Sequence, residues 1–344
     1  MQDSLINSPI AGKKILFFSP AFFGYEEKIK KKIMELGASV DAFDVRSVSS
    51  AFERALLKVN PNFFNRRTEA YYANIYSLIK KTNYDYVLIV KCDMPTERIL
   101  DIYKRRFKNA KFCLHMWDSL ENIPNIEKKF KYFDFVSSFD RRDCVKHPWI
   151  YFRPLYYCDE YIKKETKRQK NYDYDLCFIG TIHSDRWKVL KELKRQAEEQ
   201  GFRVFFYPYL QSKFIYLFYK LTKSEFRSTD ITEFRFDKIS GKQTAEKVER
   251  SKIIIDIHHP KQTGLTIRTI EMIGMNKKLI TTNEDIKNYD FFNAANIQVI
   301  DREKPELNEI FNTDYVPLNP GIYKRYSLES WIYEVLGIKG TYVD

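Results

Sequence analysis

The sequence predicts an α/β protein made of two consecutive halves, each a parallel β-sheet with helices on its faces. Three observations lead there. Short apolar runs alternate with amphipathic stretches through both halves, a densely charged segment separates them, and 344 residues exceed one ordinary domain but fit two.

In the first half, Lys13 to Ser19 (KKILFFS) is an apolar, aromatic-rich run that ends before Pro20 and Gly24, and the basic amphipathic stretch Glu26 to Leu36 follows and stops at Gly37. That order reads as strand, loop, helix and C-cap. Ser39 to Val45 adds a second strand and completes a βαβ unit. Phe63 to Lys81 is predicted helical after Pro61, Tyr86 to Val90 (YVLIV) a buried strand and Thr96 to Phe107 a basic helix. Lys111 to Met116 and Phe133 to Ser137 are further strands.

After Pro154, the run from Cys158 to Asn171 is strongly charged and marks the joint. The expected division is 1–157, a connection at 158–171, a second domain at 172–322, and a C-terminal helix and tail at 323–344. Asp175 to Ile179 (DLCFI) restarts the pattern as a strand ending in Gly180-Thr181, followed by a helix, Arg186 to Gln200, closed by Gly201, and a strand, Arg203 to Tyr207. Lys252 to Ile257 (KIIIDI) reads as a central strand, Thr266 to Gly274 as a helix, and Lys278 to Thr282 and Ile297 to Ile300 as strands. Tyr326 to Leu336 is a last amphipathic helix, able to pack back on the first domain. Two such halves describe two Rossmann-like domains, with ligands expected at the carboxyl ends of strands in a crevice between the halves.

Composition narrows the function. A chain with 44% hydrophobic and 30% charged residues, 11 Gly and 12 Pro is globular rather than collagen-like or linker-dominated. Cys92, Cys113, Cys144, Cys158 and Cys177 lack CxxC spacing and sit mostly in apolar runs, so reduced buried thiols are expected. The start of the chain has no secretory pattern and no window reaches the roughly 18–20 apolar residues of a spanning helix. The expectation is a cytoplasmic protein whose membrane contact, if any, is peripheral and at the inner face. A net charge of +12 and a pI near 9.2 favour an anionic partner: phosphates of a small ligand, an anionic membrane or nucleic acid. Lys and Arg are spread along the chain without a nucleic-acid module, so nucleic acid is not expected. The 27 Phe and 24 Tyr suit stacking on sugar faces, with core packing the default for each ring.

The most informative segment is His258 to Thr282 (HHPKQTGLTIRTIEMIGMNKKLITT). A buried strand ends at Ile257, a loop containing Gly264 follows, and a helix starts near Leu265 or Thr266, with Thr263 or Thr266 placed to cap it. A helix N-terminus offers free N–H groups and the positive dipole end, which suit a diphosphate. Arg268 and Glu271, three residues apart, share a helix face. The arginine suits phosphate and the acceptor-only glutamate suits ribose hydroxyls. The competing account is an exposed helix ion pair worth well under about 1 kcal/mol. His258 and His259 adjoin the loop, where a neutral imidazole can bond phosphate or sugar.

This segment resembles the donor-binding motif of GT-B glycosyltransferases, which runs from a first glutamate through a glycine-containing loop to a second glutamate on the helix. Gly264 matches the glycine, Glu271 the second glutamate, Gly274 and Asn276 the small residues at the helix end, and Leu279-Ile280 the next strand. The wording GLTIRTIEMIGMNKKLITTN is closer to bacterial capsule and lipopolysaccharide glycosyltransferases, including relatives of the CgeB-like and group 1 enzymes. The first glutamate falls at Thr263, beside Gln262, so retention of anomeric configuration is not implied. The resemblance also implies that Gly180, in Phe178 to Asp185 (FIGTIHSD), approaches the donor phosphates. An ordinary turn is the alternative there, and Arg186 is either a phosphate partner or a helix-start charge. The donor-site candidates are thus Gly180, Thr181, Arg186, His258, Gly264, Leu265, Thr266, Arg268 and Glu271.

On the first-domain side, Ser19 to Tyr25 (SPAFFGY) occupies the usual acceptor position, and Lys91-Cys92-Asp93 and His115-Met116-Trp117-Asp118 end two strands. Inverting transfer needs a base for the acceptor hydroxyl, and Asp118 is the first choice, with His115 and Asp93 as rivals. Five histidines without an HExxH or His/Cys cluster predict no metal site and no cofactor beyond the co-substrate. Lys213 to Arg227 (KFIYLFYKLTKSEFR) sets aromatic and aliphatic residues among lysines at helical spacing, either as a core-packing helix or as one resting on an anionic bilayer. The expected function is sugar transfer from a nucleotide diphosphate sugar to a surface glycan or lipid-linked glycan. A nucleotide-sugar epimerase and a non-enzymatic binder of anionic polymer are the alternatives.

Overall fold

A computed structural model of the chain describes residues 8–47, 64–163, 172–260, 262–307, 310 and 313–338. The chain forms two compact units, Met1–Leu155 together with Leu328–Asp344, and Tyr156–Ser327. Residues 164–171 of the charged segment, and Phe63 at the start of the first long predicted helix, lie outside the described residues.

The first unit holds a parallel six-stranded sheet in the order β2-β1-β3-β4-β5-β6. Its strands are β1 (Lys14–Ser19), β2 (Ser39–Asp44), β3 (Tyr86–Val90), β4 (Lys111–Met116), β5 (Phe135–Ser138) and β6 (Tyr151–Phe152). The helices α1 (Tyr25–Glu35), α2 (Asn65–Ile79), α3 (Glu97–Arg106), α4 (Ile126–Lys129) and α5 (Arg141–Lys146) alternate with them. Strands β1, β3 and β4 are near-continuous apolar runs because helices cover both faces of a parallel sheet, whereas the edge strand β2 (SVDAFD) is only half-buried. Thr96 accepts from the Ile99 N–H to cap α3, and Lys104, Arg105 and Arg106 complement the dipole in its last turn. Many of the aromatic rings are core: buried Tyr103 donates to Tyr72 O at 2.8 Å, and Tyr72 to Val45 O at 2.7 Å.

The second unit holds a parallel five-stranded sheet in the order β11-β10-β9-β7-β8. Its strands are β7 (Tyr174–Thr181), β8 (Val204–Tyr209), β9 (Ser251–Asp256), β10 (Lys278–Thr281) and β11 (Ile297–Val299). Its helices are α6 (Arg186–Glu199), α7 (Lys213–Thr222), α8 (Gly241–Glu249), α9 (Ile267–Gly274) and α10 (Pro320–Arg325). The periodicity of the sequence did not reveal α8, whose start is fixed by a capping box: Gln243 N donates to Ser240 Oγ at 3.2 Å and Ser240 N to Gln243 Oε1 at 3.1 Å. Gly274 ends α9 where the backbone is closely approached. A Cβ there would lie 2.6 Å from both Tyr157 Cγ and Tyr161 O, so no larger residue fits without displacement.

The last helix, α11 (Leu328–Val335), returns to the first unit and packs on α1, β4 and β5. Trp331 on this helix is fully buried, and Glu334 pairs with buried Arg153 at 3.2 Å. The described cysteines are free thiols, four buried and Cys144 half-buried. Among the described residues no helix is long and apolar enough to cross a membrane.

The strand order reverses between β1 and β3 in the first unit and between β7 and β9 in the second. Connections leave to opposite sides there, opening a crevice at the carboxyl ends.

Candidate functional site

At the second unit's crevice, β7 ends in Gly180-Thr181, and Arg186 is the first residue of α6. Arg186 donates from NH1 to Thr181 O at 2.7 Å and from NH2 to Ile257 O, so one guanidinium bridges the ends of β7 and β9. Its Nε is buried without a hydrogen-bond partner. An added Cβ at Gly180 would crowd the Phe178 ring at 3.1 Å and make ordinary contact with Arg186 NH1 at 3.6 Å. Arg186 is therefore more than a helix-start charge.

At the end of β9, buried Asp256 accepts from Thr266 Oγ1 at 2.7 Å and Thr269 Oγ1 at 2.6 Å, while Thr266 caps α9 by accepting from Thr269 N at 3.2 Å. The cap expected at Thr263 or Thr266 is Thr266. Its hydroxyl, however, is committed to a carboxylate that already meets the positive end of the helix. Gly264 and Leu265 are buried, Leu265 in the core. The helix start expected to meet a diphosphate thus has Asp256 beside it, a carboxylate bound to the hydroxyls of Thr266 and Thr269.

Sequence reading missed Arg302, just past β11. It donates from NH1 to Asp185 Oδ1 at 2.7 Å, and from NH2 to His258 O at 2.7 Å and Thr282 Oγ1 at 3.1 Å. It thereby ties the ends of β9, β10 and β11 to the start of α6. The only sequence signal was its place at a strand's carboxyl end. Arg302 NH2 also lies 3.1 Å from His258 Nδ1. A guanidinium only donates, so Nδ1 accepts and the imidazole proton sits on Nε2.

Burial, with Arg302 adding, pulls the pKa of His258 down to about 4. Burial, then Arg186 and His259, pulls His183 to about 3. Both are neutral donors or acceptors at neutral pH. Their folded values lie below the unfolded value of about 6.5, so their stabilisation is full above that pH and is lost as pH falls toward the folded values. Between pH 7 and 5 the urea midpoint of the protein is expected to fall more than that of the His183→Gln/His258→Gln variant. Asp143, which burial raises to about 6, acts in the opposite direction but equally in both proteins. Equal slopes for the two proteins would contradict the assignment.

Arg268 and Glu271 do meet, with NH1 and Oε2 2.8 Å apart. The pair is not the exposed one considered above: the Glu271 side chain is 0% exposed and that of Arg268 22%. Both adjoin Tyr161, whose ring centroid lies 6.0 Å from the guanidinium carbon. Enclosed behind Arg268, Glu271 presents no carboxylate oxygen to a ribose in this arrangement, and Arg268 is the solvent-facing member.

In the first unit, the three base candidates differ in setting. His115 is fully buried. Trp331 Nε1–H donates to its Nε2 at 3.4 Å, which leaves its proton on Nδ1, 2.9 Å from Ser137 Oγ. Burial pulls its pKa well below the usual value. With both nitrogens engaged and no solvent access, His115 does not reach an acceptor hydroxyl, and its expected role as base is withdrawn. Asp118 Oδ2 lies 2.6 Å from Lys91 Nζ, and its Oδ1 accepts from Asn122 Nδ2 at 2.7 Å. Asp93 Oδ2 accepts from Arg46 NH2 at 3.1 Å, while its Oδ1 is buried with no hydrogen-bond partner. Both carboxylates thus stand at strand ends, each beside a cation. The loop after β1 exposes Phe22 and Phe23, whose rings meet edge to face at 4.6 Å.

No protein-family model and no curated protein sequence matches the chain. Solved structures do match it. A lipopolysaccharide outer core galactosyltransferase, WaaB, is 12% identical with a TM-score of 0.54, over 95% of this chain and 100% of that one. The fold is GT-B. A glycosyltransferase from Rickettsia africae is 16% identical with a TM-score of 0.57, over 95% of this chain and 97% of that one. The UDP-GlcNAc 2-epimerase of Methanocaldococcus jannaschii, in complex with UDP-GlcNAc and UDP, is 11% identical with a TM-score of 0.52, over 94% and 99%. The GT-B fold is thus shared with both transferases and epimerases.

Proposed function

We propose that the protein is a glycosyltransferase that moves a sugar from a nucleotide diphosphate sugar to a glycan or lipid-linked glycan acceptor in surface-polysaccharide synthesis. The observation that carries this reading is the pair of guanidiniums, Arg186 and Arg302, fixed at the carboxyl ends of the second unit's strands. Parallel sheets take their ligands at such a place. As the acceptor oxygen bonds the anomeric carbon, the bond from that carbon to the donor phosphate breaks and the nucleoside diphosphate leaves with the electron pair. Preorganised guanidiniums stabilise that developing charge, and His258 Nε2–H adds a neutral donor. Neutralisation is assigned to these side chains, and no metal ion is invoked. The likeness to a lipopolysaccharide galactosyltransferase and to an epimerase holding UDP-GlcNAc supports a sugar-nucleotide ligand of this class. Asp118 is assigned as base, and the unpartnered Oδ1 of Asp93 supports that residue as the alternative.

Calorimetric titration with UDP, GDP, dTDP and CMP, then with their sugars, tests the reading. At least one nucleoside diphosphate should bind, and Arg302→Ala should weaken it about tenfold or more, the loss of one charge-assisted contact of about 1.5–3 kcal/mol. A thermal melt confirms that the variant is folded. If no nucleotide binds, the reading fails. Conversion of a sugar nucleotide to its epimer without acceptor would select the epimerase instead.

A further inference from the structure

Helix α7 carries two apolar faces, and folding of its own unit uses only one. On the inner side Tyr216 is buried and donates to Thr229 O at 2.9 Å, with Ile215 and Tyr219 packed against the core. Ser212 caps the helix by accepting from Ile215 N at 3.2 Å, so its orientation is fixed. On the opposite side Phe214, Leu217, Phe218 and Leu221 are 77, 55, 54 and 81% exposed. Their spacing places them in one stripe along the helix. Four large apolar side chains in a row, facing water, mark an interaction surface.

The charge around the stripe points to the occupant. Residues 213–227 carry Lys213, Lys220, Lys223 and Arg227 against the single carboxylate of Glu225. Two of these cations are held in place, Lys220 by Thr229 O at 2.9 Å and Lys223 by Ser184 O at 2.6 Å. An apolar stripe with aromatic rings and a cationic border matches the boundary of an anionic bilayer, where rings and leucines enter the headgroup layer and cations meet lipid phosphates. A two-fold contact with a second copy would instead set this cationic border against itself. We propose that α7 docks the protein on anionic lipid through Phe214, Leu217, Phe218 and Leu221. The proposal does not depend on the sugar-transfer chemistry, and its test uses no nucleotide.

The full-length protein is sedimented with vesicles of phosphatidylcholine alone and of phosphatidylcholine with phosphatidylglycerol. Binding to the anionic vesicles and its weakening by added salt are expected. Leu217→Gln/Leu221→Gln should lower binding about tenfold or more while leaving the thermal melt unchanged, since both side chains stand in solvent and glutamine is a good helix former. Absence of binding to anionic vesicles, or equal binding by the variant, overturns the proposal. So does a concentration-dependent dimer, seen by sedimentation velocity without vesicles and abolished by the same substitutions, which would assign the stripe to a second copy. Because nucleotide titration is separate, failure here leaves the donor-site reading standing, and the reverse also holds.

Discussion

Arg268→Ala is expected to lower the free energy of unfolding by about 3–5 kcal/mol. The size follows from where its partner lies. Glu271 is fully enclosed and Arg268 Nη1 stands 2.8 Å from its Oε2, so removing the cation leaves an enclosed carboxylate without its neutralising partner. An exposed pair at the same helical spacing would cost only about 0.3–0.5 kcal/mol, and the tenfold difference is readily measured. Arg268→Met/Glu271→Leu removes both charges, keeps comparable bulk, and should recover most of the loss. Urea unfolding of the three proteins at pH 7 decides the matter. A loss below about 1 kcal/mol for Arg268→Ala would mean that solvent screens the pair. The double variant then separates function from folding: if it is stable and still binds a nucleoside diphosphate as the parent does, Arg268 is no phosphate ligand.

The fold was legible because strands buried on both faces, such as YVLIV at Tyr86–Val90, stand out as apolar runs between amphipathic helices. Elements that lean on others for their stability were not legible. β6 has two residues and, among the described residues, pairs with β5 at the edge of its sheet, too little for any periodicity. α8 has few apolar positions, and its evidence was the Ser240 to Gln243 capping box. At the site, local sequence placed Arg186 correctly at the start of a helix and at a strand end. For Arg302 it offered only a strand-end position, because the contacts that make it part of the site reach Asp185 and His258, 117 and 44 residues away. His115 failed as a base for the same reason: it stands at the end of β4, but Trp331, 216 residues on, covers its ring. The first choice of ligand for Glu271, a ribose, was displaced by an arginine three residues back, a pairing that the spacing allowed but whose burial it could not reveal.

In the proposed transfer, Asp118→Asn is expected to lower kcat about 10²–10⁴-fold, the usual contribution of a positioned base, while the donor Kd stays unchanged. An asparagine keeps the shape and the hydrogen bond to Asn122 but cannot take the proton that the acceptor hydroxyl gives up. It also removes the counter-charge of Lys91, whose side chain is 20% exposed, so a thermal melt is run beside the kinetics to show that the variant is folded. A loss confined to kcat thus reports proton transfer rather than disruption of the donor site. Asp93→Asn is the paired measurement, because Asp93 has the carboxylate oxygen without a hydrogen-bond partner and Arg46 holds the other in place. If Asp93→Asn carries the loss and Asp118→Asn does not, the base moves from the end of β4 to the end of β3, and the Lys91–Asp118 pair becomes a brace for the strand ends. If both variants keep the parent rate, neither carboxylate is the base, and the proton must leave by a group outside these two strand ends.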